Sequence, residues 1–422
     1  MKLFQINSVL NYGSTGKIVE QIALTAQSHG WESVVAHGVK YSRASTQKEF
    51  IVGSGWQTLC HEATSLLFDR HGLSSAKATK RLTEQIREYQ PDVIHLHNIH
   101  NYYINYKVLF EYLVSVEIPV VWTLHDCWPF TGHCSYFDMV GCEKWKTGCG
   151  KCPGLGVYPR SLFVDRSAKN YKLKQQLFSA VSERLTIVPV SHWLEVFVRE
   201  SFMKDASVLT IHNGINTEAF SPKGAASLRE RMKIEAKFVV LGVALPWTPR
   251  KGLADMFSLA EMLPQDKFQV VTVGLSDKQI QQCPKNIIGV KKTSSVAELA
   301  EYYSLASVFV NPTYEDNYPT TNLEAMACGT PVITYRTGGS PEAVTPETGW
   351  VVEQGDVEGI ASIVKSLELR DKSEVLAQRK ACRARAEQEF DKDKCFERYI
   401  ELYESLLQCN KATLPSCGHE DE

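Results

Sequence analysis

Short apolar runs alternate with helix-length amphipathic segments along most of this chain. This alternation is typical of parallel sheets covered by helices on both faces. At 422 residues the chain is also too long for one ordinary core. The predicted strands of the first half are Lys2–Ile6, Ser33–Ala36, Asp92–His95, Val120–Leu124 and Thr186–Val190. Those of the second half are Phe238–Val243, Phe268–Val273, Val308–Asn311, Val332–Tyr335 and Trp350–Val352. We therefore predict an α/β protein of two doubly wound, Rossmann-like domains that face a cleft.

Turn-forming residues mark the join between the halves. The join is predicted near Asn213 to Ala236, where the stretch HNGINTEAFSPKGAAS (residues 212–227) is rich in turn formers. We place an N-terminal domain at residues 1–215 and a C-terminal domain at 216–390. Residues 391–409 are predicted to form a terminal helix that returns toward the N-terminal domain. The polar end at 410–422 is predicted to be disordered.

Composition excludes several classes of protein. The net charge of −2 gives no electrostatic basis for binding nucleic acid. No apolar run approaches the roughly 18 residues of a membrane span, and MKLFQINSVL resembles a first strand more than a signal peptide. We expect a cytoplasmic protein that makes peripheral contact with the inner face of the membrane. The 12 cysteines are then expected to be thiols or metal ligands rather than disulfides.

The segment between Pro312 and Glu342 carries the most chemistry. A polar loop with Glu315 and Asp316 follows the apolar run that ends at Asn311. Three polar residues, Thr320, Thr321 and Asn322, then open a predicted helix that contains Glu324 and stops at Gly329. A helix start offers free N–H groups to an anion, and nearby carboxylates suit sugar hydroxyls. The combination favours a nucleotide-sugar ligand.

Three further motifs follow predicted strands, where ligands of such sheets bind. Gly13-Ser14-Thr15-Gly16-Lys17 lacks the spacing of a nucleotide-binding P-loop, so it forms either a ligand contact or a plain tight turn. His125-Asp126 is either a site pair or a local turn hydrogen bond. Arg250-Lys251-Gly252 places two cations where they suit a diphosphate.

Five cysteines lie in one insert at about 127–155, and four of them, which follow Cys127, are candidate zinc ligands. Cys149 and Cys152 have the two-residue spacing of a metal knuckle, and four thiolates suit tetrahedral Zn²⁺. The other two cysteines, Cys134 and Cys142, do not follow the gaps of a familiar zinc finger. A structural zinc site and four free thiols both remain open, and a catalytic zinc is disfavoured because four thiolates leave no open position.

With these motifs the chain resembles the GT-B fold glycosyltransferases of family 4 over roughly residues 1–403. The resemblance is carried by YGSTGKIV, DVIHLHNIH, TLHD, IHNGINTEAF, RKG, NLEAMACGTPV and TGGSPEAV. The segment HDCWPFTGHC and the cysteines after it are similar to bacterial exopolysaccharide and O-antigen transferases of the colanic-acid type.

The resemblance implies a role for each matching residue. Asp316 and Glu324 have the spacing of the family's E-x7-E pair, which implies contacts to the donor sugar and to the ribose. Lys251 and Arg250 would hold the diphosphate, and His125 would contact the transferred sugar. The donor would also contact the turn of Gly13 and Gly16. The first acid is Asp rather than Glu, so either Glu315 or Asp316 is the working carboxylate.

The resemblance also implies an activity. The chain would transfer a sugar, with retention of anomeric configuration, from a nucleotide-diphosphate sugar to a saccharide acceptor on a polyprenyl diphosphate. No metal cofactor is then required for catalysis. Two alternatives remain: a nucleotide-sugar 2-epimerase of the same fold, and a non-catalytic, zinc-binding interaction protein.

Overall fold

The computed structural model describes residues 1–40, 42–234 and 237–413, which form two compact units. Unit 1 contains Met1–Val190, Leu194–Ile211 and the chain from Cys395 onward. Unit 2 contains Ser191–Trp193 and His212–Lys394.

Unit 1 is built on a seven-stranded parallel sheet. Its strands are β1 (Lys2–Asn7), β2 (Glu32–Gly38), β3 (Lys48–Val52), β4 (Val93–Leu96), β5 (Val120–Leu124), β6 (Leu185–Pro189) and β7 (Ser207–Val208). They lie in the order β3-β2-β1-β4-β5-β6-β7, with Gln5 of β1 opposite His95 of β4. The central strands are buried along their whole length, as expected when helices cover both faces.

The connections of unit 1 are mostly helical. The helices are α1 (Gly13–Ser28), α2 (Gly55–Phe68), α3 (Ala76–Tyr89), α4 (Tyr106–Val114), α5 (Ser167–Ser179) and α6 (His192–Glu200), of which the first two residues of α6 belong to unit 2. Side-chain caps fix two of their starts: Ser54 accepts from the amide of Gln57 in α2, and Asn105 accepts from the amide of Val108 in α4.

Unit 2 repeats the architecture with six parallel strands. Its strands are β8 (Phe238–Val243), β9 (Phe268–Val273), β10 (Ile287–Val290), β11 (Val308–Asn311), β12 (Val332–Tyr335) and β13 (Gly349–Val352), in the order β10-β9-β8-β11-β12-β13. The helices are α7 (Ala226–Met232), α8 (Leu253–Met262), α9 (Asp277–Gln281), α10 (Val296–Leu305), α11 (Thr320–Ala327), α12 (Val357–Glu368) and α13 (Lys372–Glu389). The predicted fold class is confirmed in both units.

The last helix, α14, spans Lys392–Thr413, and its residues from Cys395 onward belong to unit 1. Phe396, Tyr399 and Tyr403 are buried in the same apolar cluster as Leu3 of β1 and Ile22 of α1. Full burial of a side chain of this size contributes about 1.5–3 kcal/mol. Of the predicted disordered end at 410–422, residues 414–422 lie outside the described residues, and 410–413 continue α14.

Close backbone contacts at two glycines join three loops of unit 2. Gly252, which precedes α8, has φ +72°, and a Cβ built there would lie 2.0 Å from the carbonyl oxygen of Pro312 after β11. Gly338, which follows β12, has φ +53°, and its Cβ would lie 1.8 Å from the carbonyl oxygen of Asp316. No side chain fits at either point, so glycine is required for the loops after β8, β11 and β12 to touch.

No helix within the described ranges combines the length and the apolar character needed to cross a membrane.

Candidate functional site

The order in which strands are added to the sheet of unit 2 reverses between β8 and β11. From this adjacent pair the chain continues outward in opposite directions along the sheet. Ligands of doubly wound sheets bind beyond the carboxyl ends of the strands at such a switch point. The loop after β8 carries Arg250 and Lys251, and the loop after β11 carries Asp316. The sequence-predicted cations and the first predicted acid therefore lie together.

Lys251 and Asp316 form a direct ion pair between the two loops, through Lys251 Nζ and Asp316 Oδ2. Arg250 ties the same loops together from its side chain and from its backbone. Its Nη1 donates to the carbonyl of Glu315 (2.7 Å), and its own carbonyl accepts from the amide of Tyr314 (2.7 Å). Asp316 is thus the member of the Glu315–Asp316 pair whose carboxylate contacts Lys251.

The local charges keep Asp316 ionised. Burial opposes its negative charge, but Lys251 and Arg250 outweigh that effect and lower the pKa of the carboxyl below its usual value. The amide of Asn317 also donates to Asp316 Oδ1 (3.0 Å). The loop therefore presents a fixed carboxylate beside a cation, an arrangement that can grip hydroxyls and a phosphate at once.

Helix α11 begins four residues after Asp316 and presents its first turn without a side-chain cap. Its N-cap position is Pro319, whose side chain makes no hydrogen bond to the first-turn amides. Thr320 and Thr321 are half-buried at this helix start. N–H groups in such a position are suited to an anion.

Asn322 differs from its two neighbours. Its side chain is buried, and its Oδ1 accepts from Asn311 Nδ2 at the end of β11 (2.8 Å). The amide of Asn322 donates to the carbonyl of Pro319 (3.1 Å). The side chain of Asn322 thus anchors α11 to β11, and the contact of this residue with a donor stays a prediction.

Glu324 lies on the second turn of α11. One of its carboxylate oxygens, Oε2, accepts from the hydroxyl of Tyr303 on α10 (2.9 Å). Tyr303 is buried, and burial together with Glu324 raises the pKa of its hydroxyl well above the ordinary value, so the hydroxyl remains a donor. Tyr303 thereby fixes the orientation of the Glu324 carboxylate, which is half-buried.

Glu342 was not predicted as a functional residue, although it lies in the quoted TGGSPEAV. Its carboxylate accepts from the amides of His192 (2.9 Å) and Trp193 (2.7 Å) and from His212 Nε2 (3.1 Å). Burial opposes its charge, yet His212 and the two amides lower the pKa of the carboxyl. The glycine turn before it, with Gly339 donating to the carbonyl of Asn317 (2.6 Å), indicated only a tight turn.

His125 follows β5 in unit 1 and is half-buried. Burial lowers the pKa of its imidazole to about 4; the neighbouring Asp126 raises it and His100 lowers it further. The ring is therefore neutral at pH 7. Asp126 does not cap this ring, since Asp126 Oδ1 accepts from the amide of Trp128 (2.9 Å) and Oδ2 lies 3.0 Å from His100 Nε2.

Gly13 and Gly16 follow β1, at the switch point of the unit 1 sheet between β1 and β4. Gly13 has φ +65° and opens α1. The carbonyl of Gly16 accepts from the amide of Asn11 (3.1 Å), which closes the turn. Both glycines serve this tight turn, and their contact with a donor stays a prediction.

The four predicted zinc ligands are brought together only in part. Cys134, Cys142, Cys149 and Cys152 line one small cavity, together with His133. Cys149 Sγ accepts from the amide of Gly132 (3.2 Å), and the thiols of Cys134 and Cys152 are hydrogen-bonded to each other. Within the described part of the chain, no three of these sulfur atoms lie within 4.8 Å of one another.

The two doubly wound units form a GT-B fold. The structure is similar over 97% of the chain to sucrose-phosphate synthase from Thermosynechococcus elongatus, with a TM-score of 0.71 at 18% identity and all of that chain covered. It is also similar over 96% of its length to Anabaena Alr3699/HepE in complex with UDP-glucose, with a TM-score of 0.64 at 14% identity and 100% coverage of that chain.

Sequence comparison refines this class. Residues 16–219 match the model described as Glycosyltransferase Family 4, and residues 235–368 match Glycosyl transferases group 1. The chain thus carries a glycosyltransferase family 4 domain followed by a glycosyl transferases group 1 domain. Over 290 residues it is 29% identical to WcaC of Escherichia coli (strain K12), a glycosyl transferase assigned to colanic acid biosynthesis. That alignment covers 65% of this chain and 67% of WcaC.

We expect the substitution Asp316→Asn to remove part of the pH dependence of stability. Because the folded-state pKa of Asp316 is lowered, its ionised form stabilises the fold fully above the unfolded value of about 3.9. That contribution is lost as the pH falls through the folded value. At pH 7 the variant should be about 1–3 kcal/mol less stable, because Lys251 is left partly buried without its counter-charge.

Urea unfolding between pH 7 and pH 3 measures this difference. The difference in unfolding free energy between wild type and Asp316→Asn should become smaller toward pH 3. The exposed control Asp266→Asn should have the unfolding free energy of the wild type at every pH. A difference that is constant with pH would show that the carboxylate charge of Asp316 does not stabilise the fold.

Proposed function

We propose that the chain is a retaining glycosyltransferase that moves a sugar from a nucleotide-diphosphate sugar to a saccharide acceptor. The observation that carries the proposal is the pairing of Lys251 with Asp316 at the switch point of unit 2. Cations, a carboxylate and the uncapped start of α11 follow neighbouring strands, and together they match a sugar diphosphate.

A nucleotide-sugar donor is supported by the likeness to Alr3699/HepE, which was solved with UDP-glucose. In this assignment Lys251 and Arg250 bind the diphosphate, together with the amides of Thr320 and Thr321. Asp316 accepts hydrogen bonds from hydroxyls of the donor sugar. Glu324 accepts hydrogen bonds from the ribose hydroxyls, through the carboxylate that Tyr303 orients. His125 contacts the transferred sugar.

The chemistry follows from where charge develops. As the bond to the sugar breaks, negative charge collects on the departing diphosphate, and fixed cations and amides stabilise it more in the transition state than in the ground state. The acceptor oxygen bonds to the anomeric carbon from the face that the diphosphate leaves, and the leaving phosphate takes the proton of that hydroxyl, so the anomeric configuration is retained. No step requires a bound metal ion.

The acceptor is proposed to be linked to a polyprenyl diphosphate, in the biosynthesis of a bacterial surface polysaccharide. The relationship to the colanic acid transferase supports the pathway class. Exposed apolar side chains support a membrane-associated acceptor. Trp56, Leu59 and Leu66 line the outward face of α2 at helical spacing, and Trp56 is 73% exposed. Phe163, which is 77% exposed, follows Leu162, whose amide donates to the carbonyl of Leu66 (2.8 Å).

We expect this α2 surface to bind anionic vesicles. Substitution of Trp56 and Phe163 by Ser should lower the fraction of protein that co-sediments with phosphatidylglycerol vesicles, because apolar area is lost from the contact. Leu369→Ser, which changes an equally exposed leucine in unit 2, is the matched control. Equal sedimentation of all three proteins would remove the membrane-contact proposal.

Removal of Lys251 tests the assignment of the donor site. A thermal-shift screen over UDP- and GDP-sugars identifies a donor, since a ligand that binds the folded state raises its apparent stability. With that donor, Lys251→Ala should lower kcat by about 30- to 1000-fold, which corresponds to about 2–4 kcal/mol in the barrier. The exposed Lys291→Ala should keep wild-type kcat.

Two results would contradict the proposal. Near-normal transfer by Lys251→Ala would remove this residue from diphosphate stabilisation. Conversion of UDP-N-acetylglucosamine to its 2-epimer without any acceptor would assign the same carboxylates to epimerase chemistry.

We also propose a structural zinc ion at Cys134, Cys142, Cys149 and Cys152. The shared cavity and the N–H···S bond from Gly132 to Cys149 support it, because backbone amides commonly stabilise thiolates. Since no three sulfurs lie within 4.8 Å, binding would draw them inward to the spacing of a tetrahedral site.

Metal analysis of the purified chain should find one zinc per molecule. Cys149→Ser combined with Cys152→Ser should abolish it, and Cys60→Ser, which changes an exposed cysteine, should not. Metal-free wild-type protein that remains folded would assign all four residues as free thiols.

A further inference from the structure

A buried row of hydrogen bonds leads from β1 to His125 in unit 1. Gln5 lies on β1, His97 follows β4, and His125 follows β5, so the three residues lie on neighbouring strands or at their carboxyl ends. His97 Nε2 is 3.1 Å from Gln5 Oε1, and His97 Nδ1 is 3.3 Å from His125 Nε2. The positions of the protons in this row follow from simple donor and acceptor rules.

The first proton position is set by the amide of Gln5. Its Nε2 donates to the carbonyl of Val19 on α1 (3.2 Å), and a carbonyl can only accept. The amide oxygen of Gln5 must then face His97 Nε2, as the structure has it. An amide oxygen can only accept, so His97 Nε2 carries a proton.

The second position follows from the neutrality of His97. Its ring is only 1% exposed, and burial lowers its pKa well below the ordinary value, with His95 and His125 lowering it further. A neutral imidazole has one N–H, which His97 uses toward Gln5. His97 Nδ1 is therefore an acceptor, and His125 Nε2 must donate to it.

The remaining nitrogen of His125 is then a free acceptor. His125 is also neutral, and its single N–H points to His97. Its Nδ1 makes no hydrogen bond to any residue within the described ranges. A half-buried lone pair in this position accepts from an O–H group and repels an anionic phosphate oxygen.

We propose that Gln5 and His97 are positioning residues that hold His125 in its Nε2–H tautomer, so that Nδ1 accepts a hydrogen bond from a substrate hydroxyl. The inference deepens the proposed function and rests on the contact of His125 with the transferred sugar. It assigns His125 to a hydroxyl of the substrate rather than to the diphosphate. A donor without a hydroxyl at that place should be used less well.

A second row of bonds fixes the neighbouring ring of His95. The His95 ring lies with its centroid 4.0 Å from that of His97. Tyr403 of α14 bonds His95 Nδ1 (2.6 Å), and His95 Nε2 bonds Thr123 Oγ1 (2.8 Å), which donates to the hydroxyl of Tyr399 (3.1 Å). Two tyrosines of α14 thus restrain the His95 ring, which packs against the ring of His97.

The tautomer can be read directly from ¹⁵N spectra of histidine-labelled full-length protein, with His125→Gln used to assign the resonances. In the wild type at pH 7, His125 Nε2 should give a protonated-type shift and Nδ1 an unprotonated-type shift. His97→Leu removes the acceptor for His125 Nε2, so the His125 shifts should move toward the average of two exchanging tautomers. A proton on His125 Nδ1 in the wild type, or His125 shifts unchanged in His97→Leu, would overturn the proposal.

Activity supplies the second readout. His97→Asn offers an amide oxygen near the place of Nδ1, so it should restore the His125 shifts and most of kcat/KM. His97→Leu should lower kcat/KM by about 10-fold, the effect of losing one hydrogen bond. Equal losses in the two variants would indicate a packing role only and overturn the proposal.

A matched control separates the loss of any buried glutamine from the loss of the Gln5–His97–His125 hydrogen-bond row. Gln5→Leu should change the His125 shifts, whereas Gln269→Leu, which removes a buried glutamine of β9 bonded only to carbonyls, should not. The spectra need no substrate. If the spectra show the expected tautomer but no donor is turned over, the proposed function is wrong, whereas the positioning of His125 by Gln5 and His97 is confirmed.

Discussion

The candidate donor site depends on backbone contacts so close that only glycine permits them. Gly252 touches the carbonyl of Pro312, and Gly338 touches that of Asp316, so the loops after three neighbouring strands of unit 2 are held against one another. Without these contacts Lys251 and Asp316 would be exposed side chains on separate loops, and a surface pair of that kind is worth little. With them, the two charges are fixed and partly desolvated, which makes each one a stronger partner for a ligand. Two neutral residues orient nearby side chains by hydrogen bonds: Tyr303 donates to Glu324, and Asn311 donates to Asn322.

The two units use the same sheet topology for different electrostatics. At the switch point of unit 2 the side chains are ionised, and burial is offset by the opposite charge of a partner. The corresponding region of unit 1 holds His95, His97 and His125, which burial keeps neutral. Neutral imidazoles in a hydrogen-bonded row have defined donor and acceptor ends, and they suit the recognition of hydroxyls. The charged region suits a diphosphate. The topology supplies the positions, and the local burial determines what each position can bind.

Most of the fold was predictable because both sheets are buried on both faces. β5, β8, β9, β11 and β12 begin and end at the predicted residues. The unpredicted strands all lie at sheet edges: β3 is largely exposed, β7 has only two residues, and β10 is short and half-buried. At the site, loop position indicated Lys251, Asp316 and Glu324. Sequence pattern did not indicate Glu342, because its partners are two backbone amides and a histidine distant in the chain. Nor did it indicate the burial of Asn322, which depends on its contact with Asn311.

The order of the elements along the chain has a consequence for biosynthesis. Unit 1 contains the first 190 residues, but Phe396, Tyr399 and Tyr403 of α14 complete its apolar cluster and cover Leu3 and Ile22. A nascent chain of which only the first half has emerged exposes the apolar surface that α14 covers. An isolated fragment ending near residue 211 would expose the same surface. The N-terminal half therefore finishes folding only after α14 has left the ribosome.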